Sequence, residues 1–345
     1  MGPFPPAARA AVALRRWLPV LVMATAATGM TVRAQERPRA ESAPQVRSSL
    51  QWVQAIQQAA VRVNYSGTVV YQAGGDMRTS RITHLYDGKR SQERVQTLDG
   101  KPREYIRTRT DSNDEVHCLI PEARRIVIEH RAIEDPFPGL IGAPAADILQ
   151  HYQVEVGGIE RVAGFECQVL SFLPRDALRY GYRLCVDGAS GLLLKSQMVN
   201  DQRDVLEQVA FTDVRIGERI DRARLKPAWP TEGWSVERSN HRPVDMAKAG
   251  WVVPTPDGFR RIKEIARRMG TRDAMQVVFS DGLATVSVFI EPGAEAQSLT
   301  EGVQMMGPTA AYSRRVGEAL VTVVGEVPPA AVRGVAGSVE FNGPR

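Results

Sequence analysis

YSGTVVYQAGGDMRTSRITHLYDGKRSQERVQTLDG, residues 65–100, reads as three strands separated by tight turns. Tyr65 to Gln72 runs into Ala73-Gly74-Gly75-Asp76, Met77 to Tyr86 into Asp87-Gly88, and Lys89 to Leu98 into Asp99-Gly100. Asp-Gly and Gly-Gly tolerate the positive φ that tight hairpin turns require. Regular strand spacing with this turn chemistry predicts an antiparallel meander. Further strands are expected at Arg103 to Arg109, Glu115 to Ile120 and Arg125 to Arg131.

Pro136 to Pro144 interrupts the pattern, and Ala145 to His151 reads as a short helix. Strands resume at Tyr152 to Val156, Phe165 to Leu173, Arg179 to Val186, Gly191 to Val199 and Val205 to Ile216. Ahead of the meander, Ser48-Ser49 offers an N-cap for a helix with Leu50, Val53, Ile56, Ala60 and Val61 near the helical period. The expected class is α+β: residues 48–216 form a curved antiparallel sheet, a half-barrel, with the helix packed against it. An apolar pocket is expected between helix and sheet.

Residues 217–230 are charged and end in proline, and are expected to link to a smaller α+β domain at 231–345. Met275 to Phe279, Ser280-Asp281-Gly282 and Leu283 to Ile290 spell a hairpin, and Arg314 to Gly325 a second, turning at Gly317-Glu318. Val332, Val335, Ala336 and Val339 share one helical face. Phe259, Ile262 and Ile265 are spaced by three, a period that favours helix.

The first 34 residues bear on location. Arg9, Arg15 and Arg16 precede an apolar run from Trp17 to Met30, and Val32-Arg33-Ala34 offers a cleavage site. This is the layout of a secretory signal peptide. The run is shorter than the ~20 residues a spanning helix needs, which weighs against a membrane anchor. Residues 35–47 are polar, hold two prolines and are expected to be a disordered lead-in. The protein is thus expected to be exported, with no membrane span after cleavage.

Cleavage also changes the charge. The whole chain carries 44 Lys+Arg against 39 Asp+Glu; losing the leader's four arginines leaves 40 against 39. A nucleic-acid footprint needs a basic surplus on one face, and almost none is left. The local clusters Arg260-Arg261 with Lys263, and Arg267-Arg268, read as solvated surface.

Cys118, Cys167 and Cys185 all lie beyond the leader. In an oxidising compartment two can pair. A hairpin centred at residue 176 sets Cys167 opposite Cys185, which predicts that disulfide over two buried thiols. Cys118, beside His117, reads as a buried small residue rather than a nucleophile.

No catalytic or metal signature emerges. Histidines 84, 117, 130, 151 and 241 are scattered, without the close ligand groupings of a zinc site. Gly188-Ala-Ser190-Gly191 lacks nucleophile-elbow spacing and reads as a turn. The paired acids Glu134-Asp135 and Asp201 with Asp204 fall in connections. Neither an enzyme nor a cofactor is expected, although an envelope hydrolase stays open because triads are spatial. Tyr65, Tyr71, Tyr86 and Tyr105 sit on the early strands, where alternation can aim them at a ligand pocket or at the core.

The strongest landmarks are Asn64-Tyr-Ser-Gly-Thr-Val-Val-Tyr71, Gly164-Phe-Glu-Cys-Gln-Val-Leu170 and Tyr180-Gly-Tyr-Arg-Leu-Cys-Val-Asp187. Further pieces are Trp251-Val-Val-Pro-Thr-Pro-Asp-Gly-Phe259, Phe279-Ser-Asp-Gly-Leu283, Val286-Ser-Val-Phe289 and Val321-Thr-Val-Val-Gly-Glu-Val-Pro328. Their order, from Leu50 to Phe341, resembles the periplasmic MucB/RseB regulators of the envelope-stress (sigma-E-type) sigma factor. The resemblance implies a LolA/LolB-like N-terminal domain and a smaller C-terminal one. It implies binding to the periplasmic segment of a RseA/MucA-like anti-sigma factor, shielding that segment from regulated proteolysis. Release would follow an amphiphile such as lipopolysaccharide or phospholipid. It also favours strand over helix at Phe259 to Ile265. The alternative function is a periplasmic lipid or lipoprotein carrier.

Overall fold

The structure, a computed structural model, describes residues 47–130, 137, 142–238, 241–269, 272–293 and 301–343. The expected signal peptide, nearly all of the lead-in and the Glu134-Asp135 pair lie outside the described residues. Helix α1 (Ser49–Arg62) begins where the sequence places it. The Ser48 hydroxyl accepts the Gln51 N–H at 3.3 Å, and the Gln51 side chain accepts the Ser48 N–H at 2.8 Å. This reciprocal box satisfies two backbone donors the helix leaves open. Trp52, Val53, Ile56 and Ala59 are buried, whereas Leu50 is exposed.

The meander follows as β1 (Tyr65–Ala73), β2 (Asp76–Tyr86), β3 (Ser91–Thr97), β4 (Glu104–Arg109), β5 (Asp114–Ile120) and β6 (Arg125–His130). Helix α2 (Ala145–His151) leads into β7 (Tyr152–Val162), β8 (Phe165–Pro174), β9 (Gly181–Asp187), β10 (Leu193–Val199) and β11 (Val205–Ile216). β12 (Ser235–Arg238) lies beyond the segment expected to be a linker and adds to β6 in parallel. The order in this sheet of 12 strands is β12-β6-β5-β4-β3-β2-β1-β11-β10-β9-β8-β7. Two meanders thus meet where β1 pairs antiparallel with β11. The sheet is open, with β12 and β7 at its edges.

Where β1 meets β11, the register shifts between Thr68 and Val69. A Cβ at Gly67 would run into the Asp213 carbonyl and the Phe211 ring, so glycine is what lets the strands approach there. On one face, Tyr65, Phe211, Leu192 and Leu194 meet Ala59 of α1 in a filled core. Val69 and Tyr71 continue that same face along β1, two and three pleats further on.

The second sheet contains β13 (Arg242–Pro243), β15 (Arg260–Met269), β16 (Arg272–Ser280), β17 (Thr285–Glu291), β18 (Gly302–Met306), β19 (Thr309–Val316) and β20 (Ala319–Gly325). β14 (Trp251–Val252) pairs separately with β21 (Glu340–Phe341). The order is β13-β15-β16-β17-β20-β19-β18. Helix α3 (Pro329–Gly337) buries Ala331, Val332, Val335 and Ala336 against its core. Arg314 Nε donates to the Ala336 carbonyl at 2.7 Å, closing the helix C-terminus with a cation.

The helical period read at Phe259 to Ile265 is overturned, since this segment enters β15. The β15–β16 register slips between Arg261 and Lys263, leaving Ile262 as an extra residue. A bulge of one residue breaks two-residue alternation, so apolar side chains fall three apart along a strand.

Candidate functional site

A cavity of about 590 Å³ lies between the two sheets. The large sheet lines it with Val69, Tyr71, Val95, Met198, Glu207 and Val209; the small sheet adds Leu283, Phe289, Val324 and Glu326. This cavity is not the one expected between helix and sheet. Trp52, Val53, Ile56 and Ala59 of α1 fill that region with core, and the second sheet covers the open remainder of the same face.

Strand register explains how the polar groups arrive. Tyr71 pairs with Val209, and Glu207 with Ala73, which brings the Tyr71 hydroxyl and the Glu207 carboxylate to 3.0 Å. The tyrosine donates and the carboxylate accepts. Burial pushes the Glu207 carboxyl above its ordinary range, and the Tyr71 bond offsets only part of that. Burial, then the adjacent Glu207, pushes the Tyr71 phenol up to about 12. Glu326 stands exposed at the cavity, following β20.

All four candidate tyrosines fall on this face by register, yet only Tyr71 lines the cavity. Tyr65 is fully buried, stacks on His84 at 5.0 Å between ring centres and donates to Glu93 at 3.3 Å. Tyr86 turns back to donate to the Gly88 carbonyl at 2.8 Å. Tyr105 lies further along, between Val95 and Cys118 on the neighbouring strands.

The same region holds an ion pair that sequence reading passes over. Arg179 precedes β9, and its Nε lies 3.0 Å from Asp281 Oδ2 with both side chains fully buried. Asp281 sits in the β16–β17 turn and also accepts the Tyr152 hydroxyl at 3.2 Å. Its other oxygen accepts the Leu283 and Ala284 N–H groups at 2.8 and 2.7 Å. Arg179 Nη2 donates to the Asp257 carbonyl at 2.9 Å, and its guanidinium lies 4.9 Å from the Phe259 ring centre. Gly282, at φ +100°, enters so closely that a Cβ would strike Ala143. The turn that the sequence marks only as a hairpin therefore pins the small sheet to the large one. Its only advance signal is a Ser-Asp-Gly turn between the apolar runs that end at Phe279 and begin at Leu283.

Cys167 and Cys185 form the expected disulfide, with Cα atoms 5.3 Å apart. The expected register is corrected by two residues: Cys167 faces Asp187 and Cys185 faces Val169, so the bridge runs diagonally. Cys118 is half-buried in β5, opposite Tyr105 and Val127. Ser190 donates its hydroxyl to Asp187 at 2.6 Å within a turn, and Asp204 holds Asn200 at 3.1 Å. The basic cluster on β15 is engaged in the fold: Arg260 pairs with Asp147 at 3.2 Å, Arg261 with Glu264, and Arg267 donates to Gln276 at 3.2 Å. Among the described residues no cluster of three His, Cys, Asp or Glu is arranged to hold a metal ion. No described helix is long and apolar enough to cross a membrane. The site as built is a cavity whose lining mixes apolar side chains, serine and threonine residues, and the two carboxylates Glu207 and Glu326.

Residues 48–229 match the family described as MucB/RseB N-terminal domain, and residues 245–340 that described as MucB/RseB C-terminal domain. The sigma factor AlgU regulatory protein MucB of Pseudomonas aeruginosa is 28% identical over 304 residues, covering 86% of this chain and 92% of its own. The sigma-E factor regulatory protein RseB of Haemophilus influenzae is 25% identical, covering 85% and 91%. A crystal structure of MucB in complex with MucA(peri) superimposes with a TM-score of 0.67 at 27% identity, covering 86% of this chain and 99% of that one. The Pseudomonas aeruginosa MucA/MucB complex gives a TM-score of 0.68 at 26% identity, covering 85% and 99%.

Proposed function

This chain belongs to the MucB/RseB family, and from that premise we propose that the mature protein is a periplasmic negative regulator. It binds the exposed segment of a membrane-spanning anti-sigma factor, related to MucA or RseA, and protects it from regulated proteolysis. An amphiphile released by envelope damage, lipopolysaccharide or phospholipid, loosens that hold. The observation that carries the reading is the ordered match of both family halves over one chain, with a similar fold solved in complex with MucA(peri).

Mixing the mature protein with the periplasmic segment of a MucA/RseA-like anti-sigma factor from the same organism tests the reading by calorimetry. A complex at micromolar concentration or tighter is expected; none at that concentration overturns it. The cavity between the sheets favours a second reading, a carrier of lipid or lipoprotein. Transfer of a lipidated protein between membranes would support the carrier, and failure to extract any lipidated cargo would remove it.

A further inference from the structure

We propose that the cavity between the two sheets is the seat of a basic side chain, a lysine or arginine of the peptide segment the protein binds. This rests on the function proposed above and adds the chemistry that the partner must present. Among the described residues, the charged groups lining the cavity are two carboxylates, Glu207 from the large sheet and Glu326 from the small one. Arg78, opposite Tyr71 on β2, is exposed and outside the lining.

Glu207 is half-buried, and among the described residues its one hydrogen bond is the one from Tyr71. A carboxylate accepts several bonds, so acceptor capacity is left over on a group removed from bulk water. An ammonium or guanidinium would supply donors and offset the desolvation of that carboxylate. The walls suit such a guest as well. Val69, Val95, Val209 and Phe289 offer apolar surface to the aliphatic stem while the cationic head reaches Glu207. A phosphate or carboxylate in the same place would meet two like charges and no lining cation. An anionic head is thereby disfavoured beside Glu207, which leaves the apolar part of the lining, and not this seat, to an acyl chain.

The test measures binding of the peptide segment to the mature protein and to its Glu207→Gln variant, with each basic residue of the segment replaced by alanine in turn. Glu207→Gln is expected to weaken binding about tenfold or more and to reduce the dependence on salt. One basic residue of the segment should lose a similar factor, and its effect should vanish in the Glu207→Gln background. Thermal melts of the variant are expected at or above the parent Tm, which separates lost binding from lost folding. Unchanged affinity in Glu207→Gln, or additive effects for every basic residue, overturns the proposal. If the parent protein does not bind the segment at all, the functional reading fails instead. The cavity is then probed with n-hexylamine against hexanoate. Tighter binding of the amine that is lost in Glu207→Gln supports a cation seat, whereas equal or tighter binding of hexanoate overturns it.

Discussion

His84 lies under the Tyr65 ring with 3% of its surface exposed, and its Nδ1 reaches the Val63 carbonyl at 2.8 Å. Burial holds its pKa down at about 4, against 6.5 for an ordinary histidine. The folded protein therefore keeps His84 neutral while the unfolded chain takes up a proton as pH falls through 6.5. Stability is expected to fall by up to about 3 kcal/mol between pH 6.5 and 4 and to flatten below, on the scale of 1.36 kcal/mol per unit. Urea denaturation of His84→Phe should show a shallower slope over that window; an identical slope would refute the assignment. Glu207 has the opposite sign. Its raised pKa means the folded state gives up its proton later than the unfolded chain, so its ionisation costs stability at neutral pH. Glu207→Gln should be at least as stable as the parent at pH 7 and lose that advantage in acid.

At the scale of elements, the β8–β9 hairpin carries the disulfide across a separation of 18 residues. Cross-linking a loop of that length restricts the unfolded chain and contributes roughly 3 kcal/mol. Reduction, or Cys167→Ser with Cys185→Ser, should lower the urea midpoint accordingly; an unchanged midpoint would show that the bridge stabilises nothing. This hairpin also shows what was legible beforehand. Export and the cysteine spacing point to the bridge, but the expected centre at residue 176 placed the cysteines directly opposite. The observed register, with Cys167 facing Asp187, is offset by two residues; both registers turn Leu170, Phe172 and Leu184 to the same face, so alternation along the strands leaves this offset open. The bulge at Ile262 misled for a related reason. Periodicity assumes one side-chain direction per residue, and a bulge skips one.

At the scale of the molecule, the Arg179–Asp281 pair decides how the two sheets hold together. It joins the loop before β9 to the β16–β17 turn in a site closed to water. Arg179→Met would leave Asp281 buried without its cation, and a cost of about 3–5 kcal/mol is expected. Hydrogen exchange should then rise in the turn and in β16 and β17 before it rises in β8 and β9. Uniform acceleration across both sheets would argue that the pair stabilises the whole fold rather than the joint. Gly282→Ala tests the joint from the steric side, since its Cβ has no room beside Ala143 and its φ is positive. A loss above ~2 kcal/mol is expected, through overpacking and backbone strain together.

The sequence by itself determined the local elements: the capped first helix, the meander between 65 and 130, the two hairpins of the smaller sheet and the order of landmarks that places the chain in its family. Those features are written in turn residues, caps and alternation, which act between near neighbours. Only the tertiary structure decided where the cavity lies, which of four tyrosines reaches it, that Glu207 lines it, and that Asp281 is buried against Arg179. The reason is physical. A carboxylate's burial, its partners and the space in front of it depend on strands far apart in sequence meeting face to face, and no local pattern records that meeting.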